Sequence, residues 1–399
     1  MDKIVEKFRR KLNYTSLGFI RSLMYNINWD ARMIGIKGAR GVGKTTLMLQ
    51  YIKKHYEHDP SVIYASLDDI WFSDNKLVDM ADRFVKQGGK MLFLDEVHKY
   101  PEWSRELKNI YDDFPELKIV FTGSSLLEIL NSRADLSRRA VVYSMQGLSF
   151  REYLCLETGL DLKVYSLDDI VLNHLNYSGE VTSVLRPLKY FHNYLQAGYY
   201  PFYKEIPELY FSRIGEIINM IIETELPLLR GVDITYSSKL KQMLLIISES
   251  APFIPNITKL SERIGINRNT FITYLNFLME AGLLRNLYRD AHGITRLQKP
   301  EKVFLENTNL AHSLGNIPPN IGNLRETFFA NQLSYNHLLT IPENGDFMTA
   351  DGKVFEIGGM NKDNRQLMKS SIENGFIASD NIEFGNGNKI PLWLFGFLY

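Results

Sequence analysis

The 399 residues include one cysteine, Cys155. That excludes a disulfide framework and a cysteine-ligated zinc site, and it fits a reducing compartment. Charge of one sign is also lacking. Lys plus Arg number 46 and Asp plus Glu number 46, so no global field draws the chain to nucleic acid or membrane, and any such patch is local. No uninterrupted apolar run reaches the ~18 residues of a spanning helix. The most apolar stretch, "GEIINMIIETELPLL", is broken by Glu and Pro. The opening "MDKIVEKFRRKLNY" has no apolar core of the kind a secretory signal needs. No low-complexity tract or internal repeat is visible. A cytoplasmic chain with no membrane partner is expected. What is present is a globular balance, 45 % hydrophobic and 23 % charged, at a length suited to about two to four domains.

The strongest signal is "RMIGIKGARGVGKTTLMLQYIKKHY". Met33, Ile34 and Ile36 read as a short buried strand. Gly38, Gly43, Lys44 and Thr45 then fit the phosphate-loop pattern G-x-x-x-x-G-K-[ST]. Leu47, Met48, Tyr51 and Ile52 follow at helical spacing. Glycines let backbone N–H groups wrap phosphates without a Cβ in the way. Lys44 neutralises phosphate charge, Thr45 offers its hydroxyl to Mg²⁺, and the helix N-terminus adds its dipole.

"KMLFLDEVHKY" supplies a second part. Met91 to Leu94 is a continuous apolar run, as a buried parallel strand requires. Asp95 ends it, placed to hold Mg²⁺ through water. Glu96 follows and can polarise an attacking water, which points to hydrolysis of the nucleotide. "SVIYASLDD" and "LKIVFTGSS" read as two further strands, and "RRAVVYSM" as a fifth. Thr122, Ser124 and Ser125 at a strand tip have two readings, a sensor of the γ-phosphate or a helix cap. Arg133, Arg138 and Arg139 precede the fifth strand; one of them as an arginine finger would be worth ~10³–10⁵ in rate. ATP is expected over GTP, because the Asn-Lys-x-Asp base-reading motif is missing and "NKLVD" at 75–79 has the wrong spacing.

The order of "IKGARGVGKTTLM", "LFLDEVHKYPEW", "VFTGSSLLEIL", "LSFREYL", "YLQAGYYPF", "KPEKVFLENTNL" and "NLRETFFANQL" resembles the AAA-like ATPases of bacteria and archaea that carry a separate C-terminal domain of unknown function. The resemblance implies that Arg40 occupies the family's phosphate-loop arginine position and Arg139 its Gly-Arg position. The chain departs from the pattern twice, with Arg138 for that glycine and Gly147 for a proline before "LSF". The expected nucleotide-binding set is Gly38, Arg40, Gly41, Gly43, Lys44, Thr45, Thr46, Thr122 and Ser124. Thr45 and Asp95 are the expected metal set, and Lys44, Glu96 and Arg139 the catalytic set.

Downstream, residues 151–230 read as mostly helical, with 7 basic and 11 acidic side chains, a net charge of −4. That is a lid or connector and not a track for a nucleic-acid backbone. Its Tyr199, Tyr200 and Phe202 read as packing. Residues 239–300 hold 9 basic and 4 acidic residues, a net +5. Three helices are expected there, the second with Thr258 as its cap and Glu262 nearby. The third buries Phe271, Tyr274, Leu275 and Leu278 and stops at Gly282. A hairpin in "RNLYRDAHGITRLQ" with His292-Gly293 at the bend would complete a winged helix-turn-helix. Arg268, Asn269 and Thr270 would then face a major groove, with Arg289 and Arg296 on the wing. DNA is the expected partner of this segment; a protein partner or self-association is the alternative.

Near the end, "GDFMTADGKVFEIGG" (345–359) admits two hairpin registers. A two-residue turn on Asp351-Gly352 pairs Phe347 with Glu356. A three-residue loop, Ala350-Asp351-Gly352, pairs Asp346 with Glu356 and puts both carboxylates on one face. The stretch resembles the hairpin of restriction-endonuclease-like nucleases, with Glu326 as their additional carboxylate. Their lysine is Gly358 here; Lys362, four residues on, is placed to reach back or to stand as a solvated side chain, the reading preferred, so a degenerate docking module is expected. The expected fold is α/β. A phosphate-loop NTPase domain with a parallel sheet (31–150) follows an N-terminal helical segment (1–30). After it come the connector (151–230), a winged helix (231–300) and a small nuclease-like domain (301–399). An ATP-gated nuclease, a protein-binding switch and a DNA-binding regulator with vestigial hydrolysis are the competing readings.

Overall fold

The computed structural model describes residues 1–126, 136–289, 299–315, 318–362 and 374–399. Arg133, Arg296 and the His292-Gly293 bend lie outside them. The chain forms two compact units, Met1–Gly147 and Leu148–Tyr399.

The first unit opens with α1 (Asp2–Tyr14) and the single turn α2 (Leu23–Asn26). α1 buries Ile4, Phe8 and Leu12, one side chain per turn. The α/β core then runs β1 (Met33–Lys37), α3 (Lys44–Tyr56), β2 (Val62–Ser66), α4 (Leu77–Lys86), β3 (Met91–Asp95), α5 (Trp103–Asp113), β4 (Lys118–Gly123) and β5 (Val141–Ser144). The five strands are parallel, in the order β2-β3-β4-β1-β5. β1 to β4 are apolar on both faces and almost wholly buried, because helices cover the sheet. The register aligns their C-terminal ends: Lys37 pairs with Gly123, and Ser66 with Asp95. β4 therefore sits between the strand feeding the phosphate loop and the strand ending in Asp95, and Thr122 projects at that junction. Ligands in open α/β sheets bind at such an edge. The segment before β1 belongs to this unit: Arg21 donates to the carbonyls of Val42, Gln146 and Gly147, at 2.7, 2.8 and 2.8 Å.

The second unit starts with α6 (Phe150–Thr158), α7 (Leu167–Val184), α8 (Pro187–Ala197), α9 (Tyr210–Met220) and α10 (Leu226–Arg230). A capping box between Ser149 and Glu152 opens α6. α11 (Ser237–Ser250), α12 (Ile257–Ile264), α13 (Arg268–Glu280) and an antiparallel ribbon of β6 (Leu284–Leu287) and β7 (Lys302–Leu305) follow. The unit ends with α14 (Thr308–Leu314), α15 (Ile321–Leu333), β8 (Leu339–Thr340), β9 (Phe347–Thr349), β10 (Val354–Gly358), β11 (Gly375–Ser379), β12 (Lys389–Pro391) and a buried 3₁₀ segment, Leu392–Phe397. Its mixed sheet has the order β12-β11-β10-β9-β8. Phe329 on α15 packs against Phe347, Phe355 and Phe395 with ring centroids 4.9–5.2 Å apart.

These segments share cores more than the sequence boundaries imply. Phe191 and Tyr194 on α8 meet Phe328 on α15 at 4.9 and 5.9 Å. The second ribbon strand comes from "KVFL", beyond the boundary drawn at 300. α12 is capped by Asn256, whose side chain accepts from Lys259 N at 3.1 Å; Thr258 lies inside the helix and is not its cap. Tyr199 and Tyr200 are buried among aromatic neighbours. Among the described residues no helix is long and apolar enough to cross a membrane.

Candidate active site

The loop from Gly38 to Gly43 joins β1 to α3. Gly41 and Gly43 take left-handed φ of 83° and 101°, which turns successive N–H groups toward one point. Gly38 lies so close to the Met145 carbonyl that a Cβ would sit 2.2 Å from its oxygen. Lys44 opens α3, is 5 % exposed, and donates from Nζ to the carbonyls of Gly38 and Ala39 at 2.8 and 3.0 Å. Arg40 is half-buried within the loop and Thr46 is exposed beside it. A cleft of about 470 Å³ runs along Thr46 and Leu49, walled by Arg10, Lys11, Tyr14, Thr15 and Ser16.

Asp95 is the centre of the constellation. It is 2 % exposed and accepts from three hydroxyls. Thr45 Oγ1 and Tyr64 OH reach Oδ2, both at 2.7 Å, and Thr122 Oγ1 reaches Oδ1. One hydroxyl and one carboxylate oxygen side by side are a hard-oxygen donor set, which suits Mg²⁺. Tyr64 escaped the sequence reading, since in "SVIYAS" it looks like another core residue of β2. Burial, then the Asp95 charge, push its phenol well above the usual value, so it stays a donor. Lys11 of α1 in turn donates to the Tyr64 oxygen at 3.2 Å.

Glu96 follows with φ 53° and ψ 41°, a left-handed conformation uncommon for a residue with a side chain. Its N–H donates to Thr122 Oγ1 at 3.2 Å. Thr122 is thus tied to both carboxylate residues. Ser124 Oγ accepts from Leu126 N at 3.3 Å, the local bond of the capping reading. Ser124 N donates to His98 Nδ1 at 3.3 Å, and His98 Nε2 lies 3.6 Å from Glu96 Oε2.

Residues 30–154 match a family model described as an AAA domain. The first unit is AAA-like. Residues 188–320 match a second model, a domain of unknown function. An uncharacterized protein of Methanocaldococcus jannaschii is 27 % identical over 412 aligned residues, covering 94 % of this chain and 86 % of that one. Among solved structures, the Aeropyrum pernix Orc1 protein in complex with DNA aligns at 14 % identity with a TM-score of 0.31. That alignment covers 77 % of this chain and 91 % of Orc1. AMPPCP-bound DnaA from Aquifex aeolicus aligns at 16 % and 0.26, covering 64 % and 84 %. Superpositions this loose carry no weight for function.

The AAA-like domain does not bring Arg139 to its own phosphate loop. Arg139 is held by Asp112, two bonds of 3.0 Å, at the end of α5 that leads into β4. It therefore sits at the N-terminal end of the strands, and the loop at the C-terminal end. β1 alone separates them by about 16 Å, five residues at ~3.3 Å. Within one chain Arg139 and the phosphate loop thus lie at opposite ends of the strands.

In the second unit, α13 begins at Arg268, and Phe271, Tyr274, Leu275 and Leu278 are buried beneath it. An open groove of about 690 Å³ is lined by Asn267, Arg268, Asn269, Thr270, Thr273 and Tyr274. Lys259, Arg263 and Arg268 are exposed nearby. Four other cations of this region are engaged within the protein. Lys239 donates to the Ile264 carbonyl, Lys241 pairs with Glu223, Arg285 with Glu306 and Arg289 with Glu301.

The C-terminal hairpin takes the three-residue register. Phe355 pairs with Phe347 and Val354 with Met348, which brings Asp346 opposite Glu356. The carboxylates nevertheless serve other partners. Asp346 Oδ2 accepts from Ile357 N at 2.8 Å. Lys362 Nζ lies 3.0 Å from Glu356 Oε2, and Lys302 pairs with Glu326. Burial raises the Glu326 carboxyl above its usual value against the pull of Lys302. Lys362 is not the solvated side chain expected. Its stem fills the space beside Gly358, where a Cβ would come within 2.6 Å of it. Among the described residues no three His, Cys, Asp or Glu side chains converge to hold a metal.

Proposed function

We propose that this chain is a Mg²⁺-dependent ATPase whose nucleotide state is read by its second unit. The observation that carries the proposal is the contact of Thr45 with Asp95 at the sheet edge, beside a lysine folded onto its own phosphate loop. Lys44 exchanges the carbonyls of Gly38 and Ala39 for the β- and γ-phosphate oxygens as ATP enters. The N–H groups of residues 38–45, with Arg40 alongside, cradle the phosphates, and the N-terminus of α3 favours their charge. The nucleoside extends past Thr46 along the cleft walled by Tyr14 and Ser16. Thr45 and Asp95 would hold Mg²⁺, which neutralises charge developing on the phosphates. Glu96 orients the attacking water, and Thr122 and Ser124 report the γ-phosphate from the strand between loop and base. The exposed Arg268, Arg263 and Lys259 support duplex DNA as the partner of the α11–α13 helices and ribbon, read as a winged helix. The C-terminal sheet serves docking, because lysines already neutralise Glu356 and Glu326.

ATP turnover with and without DNA tests this reading on wild type and Lys44→Ala. Expected is a Mg²⁺-requiring activity that Lys44→Ala lowers by at least ~10²-fold, with analogue binding weakened in parallel. Equal turnover in the two proteins would falsify it. A second reading is favoured by one observation, the placement of Lys362 beside Glu356 where the hairpin lacks its own lysine. On that reading the module cuts DNA under ATP control. Mn²⁺-dependent cleavage that disappears in Glu356→Ala would select it.

A further inference from the structure

We propose that His98 is a positioning residue which reads the Ser124 turn and aims the Glu96 carboxylate. The inference rests on the reading of Glu96 as the group that orients water. A glutamate at the tip of a strand has several rotamers, and its side chain here is about 20 % exposed. Its backbone is held in the left-handed region and bonded to Thr122. Such strain costs on the order of 1–3 kcal/mol and persists where surroundings over-determine it. A buried ring lies beside its carboxylate. His98 lies on the 3₁₀ turn Val97–Lys99 with its side chain only 1 % exposed.

Both nitrogens of that ring have defined directions. Nδ1 accepts the Ser124 N–H, and this bond places the ring proton on Nε2. Nε2 lies 3.6 Å from Glu96 Oε2, beyond the ~2.7–3.2 Å of a formed hydrogen bond. A shift of a few tenths of an ångström closes it. Ser124 follows directly on β4, whose Thr122 holds Asp95. A γ-phosphate drawing the Ser124 turn therefore moves a rigid ring, and the ring moves the carboxylate. Sensing and water orientation become one mechanical step across three residues. A histidine kept only for packing requires neither a backbone donor on one nitrogen nor a carboxylate opposite the other.

Three variants of the full chain separate these roles: His98→Ala, His98→Asn and His98→Gln. Asn keeps an acceptor for Ser124 N and cannot reach Glu96; Gln places a donor near Nε2. Turnover and binding of a non-hydrolysable ATP analogue are measured for each. Expected is a kcat loss of ~10–100-fold in Ala and Asn, part of the ~10²–10⁴ a positioned base contributes. Analogue affinity should stay within about 2-fold, and Gln, which restores a donor to Glu96 without the link to Ser124, should recover part of the rate. Adding His98→Ala to Glu96→Gln should cost nothing beyond Glu96→Gln alone, since both act through one group. Wild-type kcat in Asn, or losses that multiply in the double variant, overturns the proposal while the base reading stands. A Glu96→Gln variant as fast as wild type overturns the base reading, and this proposal with it. Should Ala fail to fold, Asn and Gln carry the comparison unchanged.

Discussion

Asp95 accepts from three hydroxyls on three elements, and each does different work. Thr45 stands in the first turn of α3 behind the phosphate loop and Thr122 near the tip of β4, whereas Tyr64 supports the carboxylate from β2. Partners of that kind fix the orientation of a ligating oxygen, and their loss typically costs ~10–100-fold in metal affinity. Tyr64→Phe is therefore expected to raise the Mg²⁺ concentration for half-maximal ATPase about 10-fold. At saturating Mg²⁺ its kcat should stay near wild type. Unfolding in urea should register a loss of ~1 kcal/mol, one hydrogen bond. A fall in kcat that extra Mg²⁺ does not restore would place Tyr64 in the chemistry itself. That Gly38, Lys44, Thr45, Asp95 and Glu96 gather at one sheet edge was legible from motif spacing. The places of Tyr64 and His98 beside them were not, because they depend on which strand and which turn lie next to each other.

Elements were legible where periodicity is strong and where the turn leaves no choice. The apolar runs at 33–36 and 91–94 became β1 and β3, and the face of Phe271, Tyr274, Leu275 and Leu278 became the buried side of α13. The C-terminal hairpin was ambiguous, since polar side chains stand on both of its faces and alternation could not select the register. The turn selected it: Gly352 takes φ 85° at the end of a three-residue loop. Nothing lies within 4 Å of a Cβ built there, so Gly352→Ala tests conformation alone. An L-residue in that region costs ~1–2 kcal/mol. The variant should lose about 1 kcal/mol in urea unfolding with ATPase unchanged; a stability equal to wild type would show a loop free to take another turn. The pairing of β6 with "KVFL" was not foreseen for a simpler reason. A connection from 288 to 301 separates it from its partner, and "KVFL" read alone belongs to whatever follows. For Lys362 the sequence left two readings, and the approach to Glu356 was not the preferred one, because it depends on a turn after β10 and not on strand alternation.

At the scale of the whole chain, zero net charge conceals a segment of +5 and a segment of −4, and the structure narrows the positive one further. Lys241, Arg285 and Arg289 are spent on carboxylates, and Lys239 on a backbone carbonyl. Among the described residues Lys259 and Arg263 on α12, Arg268 at the start of α13, and Lys299 remain exposed. Three or four phosphate contacts imply a modest salt slope, about −0.9 per contact in log K against log salt. Arg268→Ala should weaken duplex binding and make that slope shallower by about one unit; a slope unchanged within error would remove DNA from this face. If nucleotide and DNA are coupled, the coupling is reciprocal. Whatever factor an ATP analogue adds to DNA affinity, saturating DNA must add to analogue affinity. On the DNA reading Arg268→Ala removes a contact to the duplex and none to nucleotide, so it should leave analogue affinity without DNA as it is. Analogue binding measured with and without duplex, in wild type and in Arg268→Ala, decides the matter. A wild-type factor of one in both directions would make the two units independent machines on one chain, and the first unit's hydrolysis would then serve a partner other than DNA.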